Sequence, residues 1–139
     1  MSAFRKTDGR PGRIAYEVAG LAWLAEASDP GAAVVPVLDH GATWLEEPLL
    51  VSVAPTLRAA EDFGRALAQT HAAGASHLGA PPPGFEGDGW MGEAHLSLPD
   101  RPSSAPASSH GESWGAFYAR ERIAPYVGDR TFTAAERAL

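Results

Sequence analysis

The chain contains no cysteine, no asparagine and only one lysine, Lys6. Without cysteine it has no disulfide, no thiolate nucleophile and no cysteine-ligated zinc. Basic residues are scarce: eleven Lys and Arg stand against seventeen Asp and Glu, for a net charge of −6. Nucleic acid phosphates and anionic lipid would repel such a chain, and no basic stripe with interleaved aromatics offsets this. No apolar run approaches the roughly 20 residues that span a bilayer. The opening Met1-Ser2-Ala3-Phe4-Arg5-Lys6 has no signal-peptide hydrophobic core, so a cytoplasmic location is expected. His40, His71, His77, His95 and His110 show no zinc-type spacing.

What is present is ordinary globular composition: 139 residues, 45% of them hydrophobic, enough for one compact domain or a piece of a larger one. Ala3 to Thr7 reads as a strand, followed by the breaker-rich turn Asp8-Gly9-Arg10-Pro11-Gly12. Apolar periodicity predicts a helix from about Arg13 to Ala27, ended by Ser28-Asp29-Pro30-Gly31. Ala33 to Leu38 and Pro48 to Val53 read as apolar strands, the first with Pro36 suited to an edge or bulge. Thr56 is a candidate N-cap for a helix over Leu57 to Ala73, stopped by Gly74. Pro81 to Gly92 should be loop, and Pro99 to Ser109 is a low-complexity Pro/Ser/Ala stretch. Ser109-His110-Gly111-Glu112 has capping-box spacing and should open a helix with Trp114, Phe117 and Tyr118 in the core. Thr133-Ala134-Ala135-Glu136 repeats that spacing near Leu139, as an interrupted helix start would.

On a helical wheel Ile14, Val18, Leu21, Leu24 and Ala25 form one apolar face of the first helix, and Glu17 falls inside it. A carboxylate there needs a partner, because an uncompensated buried charge costs several kcal/mol. Lys6, on the preceding strand, is the nearest candidate. A strand lysine held by a helix glutamate can bridge the α- and β-phosphates of ATP, since phosphoryl transfer depends on positioning and charge neutralisation. From spacing alone another reading stands beside this one: Lys6 solvated, and Glu17 reaching water from the edge of its face.

The order of segments adds a resemblance. Phe4-Arg5-Lys6-Thr7 followed by Tyr16-Glu17-Val18-Ala19-Gly20-Leu21-Ala22-Trp23-Leu24 resembles the strand lysine and the E-A-x-G-L-x-x-L helix of the fructosamine kinase (ketosamine kinase) family. That family is protein-kinase-like and related to aminoglycoside phosphotransferases. Val35-Pro36-Val37-Leu38 is similar to its V-P-x-V strand, and Leu49-Leu50-Val51-Ser52-Val53 to the strand entering the adenine-contacting hinge. Gly64 to His71 resembles its G-x-x-L-A-x-L-H helix, Gly89-Trp90-Met91-Gly92 its F-I-G element, and Trp114 to Pro125 its W-x-x-F-F-x-E-R-R-L-x-P helix. The resemblance covers nearly the whole chain, in order.

It implies an incomplete protein-kinase-like α+β fold. Residues 1–55 would be part of the amino-terminal, ATP-binding lobe and residues 56–139 the start of the helical lobe. The implied parent reaction transfers the ATP γ-phosphoryl group, with magnesium, to a hydroxyl of a sugar-derived ketosamine. Lys6 would hold phosphates, Glu17 would orient Lys6, and Ser52, Val53 and Ala54 would meet adenine. The chain departs from the family in lacking the glycine-containing phosphate loop, the H-G-D-x-W-x-x-N catalytic segment and the later metal-binding aspartate. With no asparagine, the metal ligand of the catalytic loop is not hidden elsewhere. The expectation is therefore an amino-terminal fragment that is catalytically incomplete alone, with exposed core surface that favours self-association. A non-catalytic nucleotide- or protein-binding remnant is the alternative, and an unrelated α+β interaction domain a third.

Two local matches mislead. Asp62-Phe63-Gly64 spells a kinase magnesium motif inside a predicted helix, where Phe63 should pack inward. His110-Gly111-Glu112-Ser113-Trp114 mimics a catalytic loop, but its capping-box spacing points to a structural role.

Overall fold

The computed structural model describes residues 2–99, 113–127 and 133. It is a mixed α+β arrangement with two small antiparallel sheets. In the first sheet β1 (Ala3–Thr7) and β2 (Asp39–His40) flank β3 (Trp44–Pro48). The register sets Lys6 opposite Leu45 and Arg5 opposite Glu46. Side chains alternate across a strand, so Lys6 and Leu45 share one face while Arg5, Trp44 and Glu46 share the other. On the outer face the Arg5 guanidinium pairs with Glu46 at 2.8 Å and lies 4.0 Å over the Trp44 ring. These pairings give charged β3 its reason to be a strand.

On the inner face α1 (Arg13–Glu26) packs with Ile14 and Leu45 fully buried. Glu17 projects from the same helix towards β1, as its place on the apolar face requires. The second sheet is a hairpin of β4 (Gly89–Met91) and β5 (Ala94–Leu96), turned by Gly92-Glu93. Gly92 has φ +58, which glycine adopts without steric cost at the first position of a two-residue turn. The hairpin lies on α1 through a close approach at Gly89, where a Cβ would sit 2.5 Å from the Tyr16 ring. Tyr16 in turn meets Phe85 edge-on at 5.3 Å.

The helix α2 (Leu57–Ala73) starts where Thr56 Oγ1 accepts the Ala59 amide at 3.1 Å and ends at Gly74. Arg58 with Asp62, and Arg65 with Glu61 and Asp62, make ion pairs along it. Such pairs each add a few tenths of a kcal/mol to a helix. None of its residues is buried. The short α3 (Trp114–Tyr118), capped by Ser113, runs on into a wide turn at Ala119–Ile123 and a tight one at Ala124–Tyr126. Phe117 is buried, and Arg122 donates to the Ser97 carbonyl at 2.9 Å, fastening this segment near the hairpin.

Several expectations are corrected. Residues 33–38 form no regular strand, and the strand expected over Pro48 to Val53 ends at Pro48 instead. Pairing with β1 decides the matter: β3 uses Trp44–Pro48, and beyond Pro48 the ladder continues only through the Leu49 amide, donating to the Ser2 carbonyl at 2.9 Å. The proline- and glycine-rich stretch expected to be loop through Gly92 contains β4. Phe63, Trp114 and Tyr118 are exposed rather than packed inward. The capping-box residues Ser109 to Glu112 and Ala134 to Glu136 lie outside the described residues. No helix among the described residues is long and apolar enough to cross a membrane.

Candidate functional site

The central element is the pair anticipated across the strand–helix boundary. Lys6 Nζ donates to both carboxylate oxygens of Glu17, each at 2.7 Å. The side chains are 39% and 28% exposed, so the pair is only partly screened from solvent. Strand alternation points Lys6 inward beside Leu45, and one turn of helix beyond buried Ile14 places Glu17 above it. This solves the problem posed by a carboxylate on an apolar helix face.

Lys6 and Glu17 border a cavity of about 280 Å³ whose other walls are Arg13, Tyr16, Trp90 and Gly92. The hairpin thus closes one side of the site, and burial raises the Tyr16 phenol above its ordinary pKa of 10.0, which keeps it a hydrogen-bond donor.

An ionic cluster sits beside the cavity. Asp8, at the exit of β1, accepts from Arg10 Nε at 3.0 Å, Arg10 Nη2 at 2.6 Å and the Arg10 amide at 2.9 Å, and pairs with Arg13 Nε at 2.8 Å. Its side chain is only 11% exposed. The Arg10 hydrogen bonds, with the nearby Arg13 charge, hold the Asp8 carboxyl far below the usual carboxylate range. Asp8 reciprocally raises the Arg10 pKa, with Glu93 contributing. Arg10 reaches Glu93 in the hairpin turn at 2.5 Å and lowers that carboxyl too. Arg13 donates to the Gly92 carbonyl, and both guanidinium groups approach the Trp90 ring, at 5.2 and 5.5 Å.

Ser52, Val53 and Ala54 follow β3 in an irregular, exposed segment and are not among the cavity walls. Their backbone groups make no hydrogen bond among the described residues. Asp62 is committed to arginines within α2. No group of three His, Cys, Asp or Glu side chains among the described residues converges to hold a metal ion.

Sequence reasoning missed Asp8, Arg10, Arg13, Tyr16 and Trp90. Two signals could have exposed them. An aspartate two residues before Arg10 in a turn is the pattern of an Asx turn, and Arg10 N does bond Asp8 Oδ1. Gly92-Glu93 between Trp90-Met91 and Ala94-His95-Leu96 is a two-residue hairpin signal.

No family model, no curated protein and no solved structure matches this chain.

Proposed function

We propose that this chain provides the nucleotide-binding front of an ATP-dependent small-molecule kinase resembling fructosamine kinase, whose acceptor is a hydroxyl of a sugar-derived ketosamine. The observation that carries this reading is the Lys6 ammonium held by both Glu17 oxygens at the edge of the 280 Å³ cavity. An ammonium so held keeps a donor and its charge for phosphate oxygens, while the carboxylate prevents the flexible lysine stem from wandering. Bound ATP would supply the transferable γ-phosphoryl group. Lys6 would meet its α- and β-phosphates, and Glu17 would orient Lys6. The free backbone groups of Ser52 to Ala54 would pair with adenine in an incomplete kinase-like lobe of residues 1–55, with residues 56–139 beginning the helical lobe.

The chain contains no His-Gly-Asp segment, so we assign it nucleotide binding rather than phosphoryl transfer. The exposed run from Leu49 to Leu57 favours a second reading, a kinase-derived module that binds protein. Titration calorimetry with ATP tests the first. Wild type should bind, and Lys6→Ala should bind about tenfold more weakly, equivalent to about 1.4 kcal/mol. Equal affinities for the two proteins would remove Lys6 from the site. Turnover of a ketosamine with ATP and magnesium, above background, would overturn the assignment as a non-catalytic chain.

A further inference from the structure

We propose that Asp8 is a positioning residue for the Lys6–Glu17 pair, acting through Arg13 on the helix and through Arg10 and Glu93 on the hairpin. The geometry carries this inference. Asp8 is two residues beyond Lys6, at the end of the strand that carries it. It is joined at 2.8 Å to Arg13, the first residue of the helix that carries Glu17. The same carboxylate takes three donors from Arg10, whose guanidinium continues to Glu93 at 2.5 Å. Arg13 also binds the Gly92 carbonyl. One nearly buried carboxylate therefore joins the three elements that bound the cavity: strand, helix and hairpin.

A lysine–glutamate pair is only as precise as the angle between the strand and helix that carry it. Ile14 and Leu45 fill the gap between these elements, but apolar contact is non-directional and tolerates sliding. Charge-assisted, bidentate hydrogen bonds are directional and supply the missing constraint. Arg10 and Arg13 share Asp8, so removing the carboxylate leaves two guanidinium groups without their common partner. Asp8 itself lies outside the cavity walls, and its hydrogen bonds and ion pairs go to Arg10 and Arg13 rather than to Lys6, so its effect is indirect.

That Lys6 is the only lysine makes this measurable. An amine-directed ester, with peptide mass mapping to separate Lys6 from the N-terminal amine, reports how often the nitrogen leaves Glu17. In the full chain, Glu17→Gln should speed Lys6 acylation about tenfold and Asp8→Asn about threefold, with the double variant well short of the product because both changes act on one pair. Asp8→Glu should restore part of the wild-type rate. Circular dichroism and the melting transition verify folding. If Asp8→Asn does not fold, Arg13→Gln breaks the link between Asp8 and the helix, together with the Arg13 contact to the Gly92 carbonyl, and should also speed Lys6 acylation. A wild-type acylation rate in the folded variant, or full multiplicativity with Glu17→Gln, overturns the proposal. The link to function rests on the nucleotide reading above. Failure of wild type to bind ATP sinks that reading and leaves the acylation comparison standing, whereas ATP binding with unaltered acylation in Asp8→Asn sinks this inference alone.

Discussion

The cradle formed by β1, β3, α1 and the hairpin differs sharply from the run that follows it, from Leu49 through α2. In the cradle, Ile14 and Leu45 are sealed, and its arginines are engaged by Asp8, Glu46 and Glu93. In the following run Val51, Val53 and Leu57 are 85%, 83% and 93% exposed, and nothing in α2 is buried. The first region is held by tertiary packing and directional ion pairs. The second keeps its shape by local means: a cap, intrahelical ion pairs and a glycine stop. Apolar side chains left open on that scale mark a surface that gains from being covered.

Substitutions should separate the two regions. The largest effect belongs to Leu45→Ala, which empties a fully buried site; it should cost about 2–5 kcal/mol in urea unfolding. A loss below 1 kcal/mol would mean that the cradle is not the core. Next is Gly89→Ala, whose methyl group would collide with the Tyr16 ring; forced repacking of this kind costs about 1–3 kcal/mol and should loosen the hairpin. Hydrogen exchange at Trp90 and His95 would read that loosening.

Lys6→Ala should do the reverse, changing stability by only about 0–1 kcal/mol, as a solvent-reached ion pair does, while ATP affinity falls. Acidification is a milder probe. The Asp8 and Glu93 carboxyls are held below their ordinary values of 3.8 and 4.5. A carboxylate depressed in the folded state contributes its full stabilisation above the unfolded value and loses it as pH falls through the folded one. Hairpin exchange should therefore accelerate only below about pH 4.5, and less steeply in Glu93→Gln. The smallest effect should come from Leu50→Ser and Val53→Ser. Each should change stability by less than about 0.5 kcal/mol, yet sedimentation should shift towards monomer if this strip drives self-association.

The same contrast explains what was legible in the sequence. Elements built from local rules were read to the residue: β1 over Ala3–Thr7, and α2 between Thr56 and Gly74. The Lys6–Glu17 pair was legible because a carboxylate on an apolar face demands a partner. Elements decided by long-range pairing were not. Leu49 to Val53 has greater intrinsic strand preference than Trp44–Pro48, yet Arg5 opposite Glu46 and Leu45 beneath Ile14 place the strand earlier. The Asp8 cluster joins residues more than 80 positions apart, a distance that no periodicity encodes.

Thr70 has a consequence for how the molecule moves. Its hydroxyl accepts the Ala32 amide at 2.9 Å and donates towards the Ala66 carbonyl, near the wall that Trp23 and Leu24 share with the last turn of α2. A helix of 17 residues is about 25 Å long, so a tie at Thr70 leaves a long lever towards Leu57. Small rotations about that tie would become swings of several ångströms at Leu57. Whatever seats itself on the free end gains leverage over the turn after α1, and backbone order should decline steadily from the peg towards the tip.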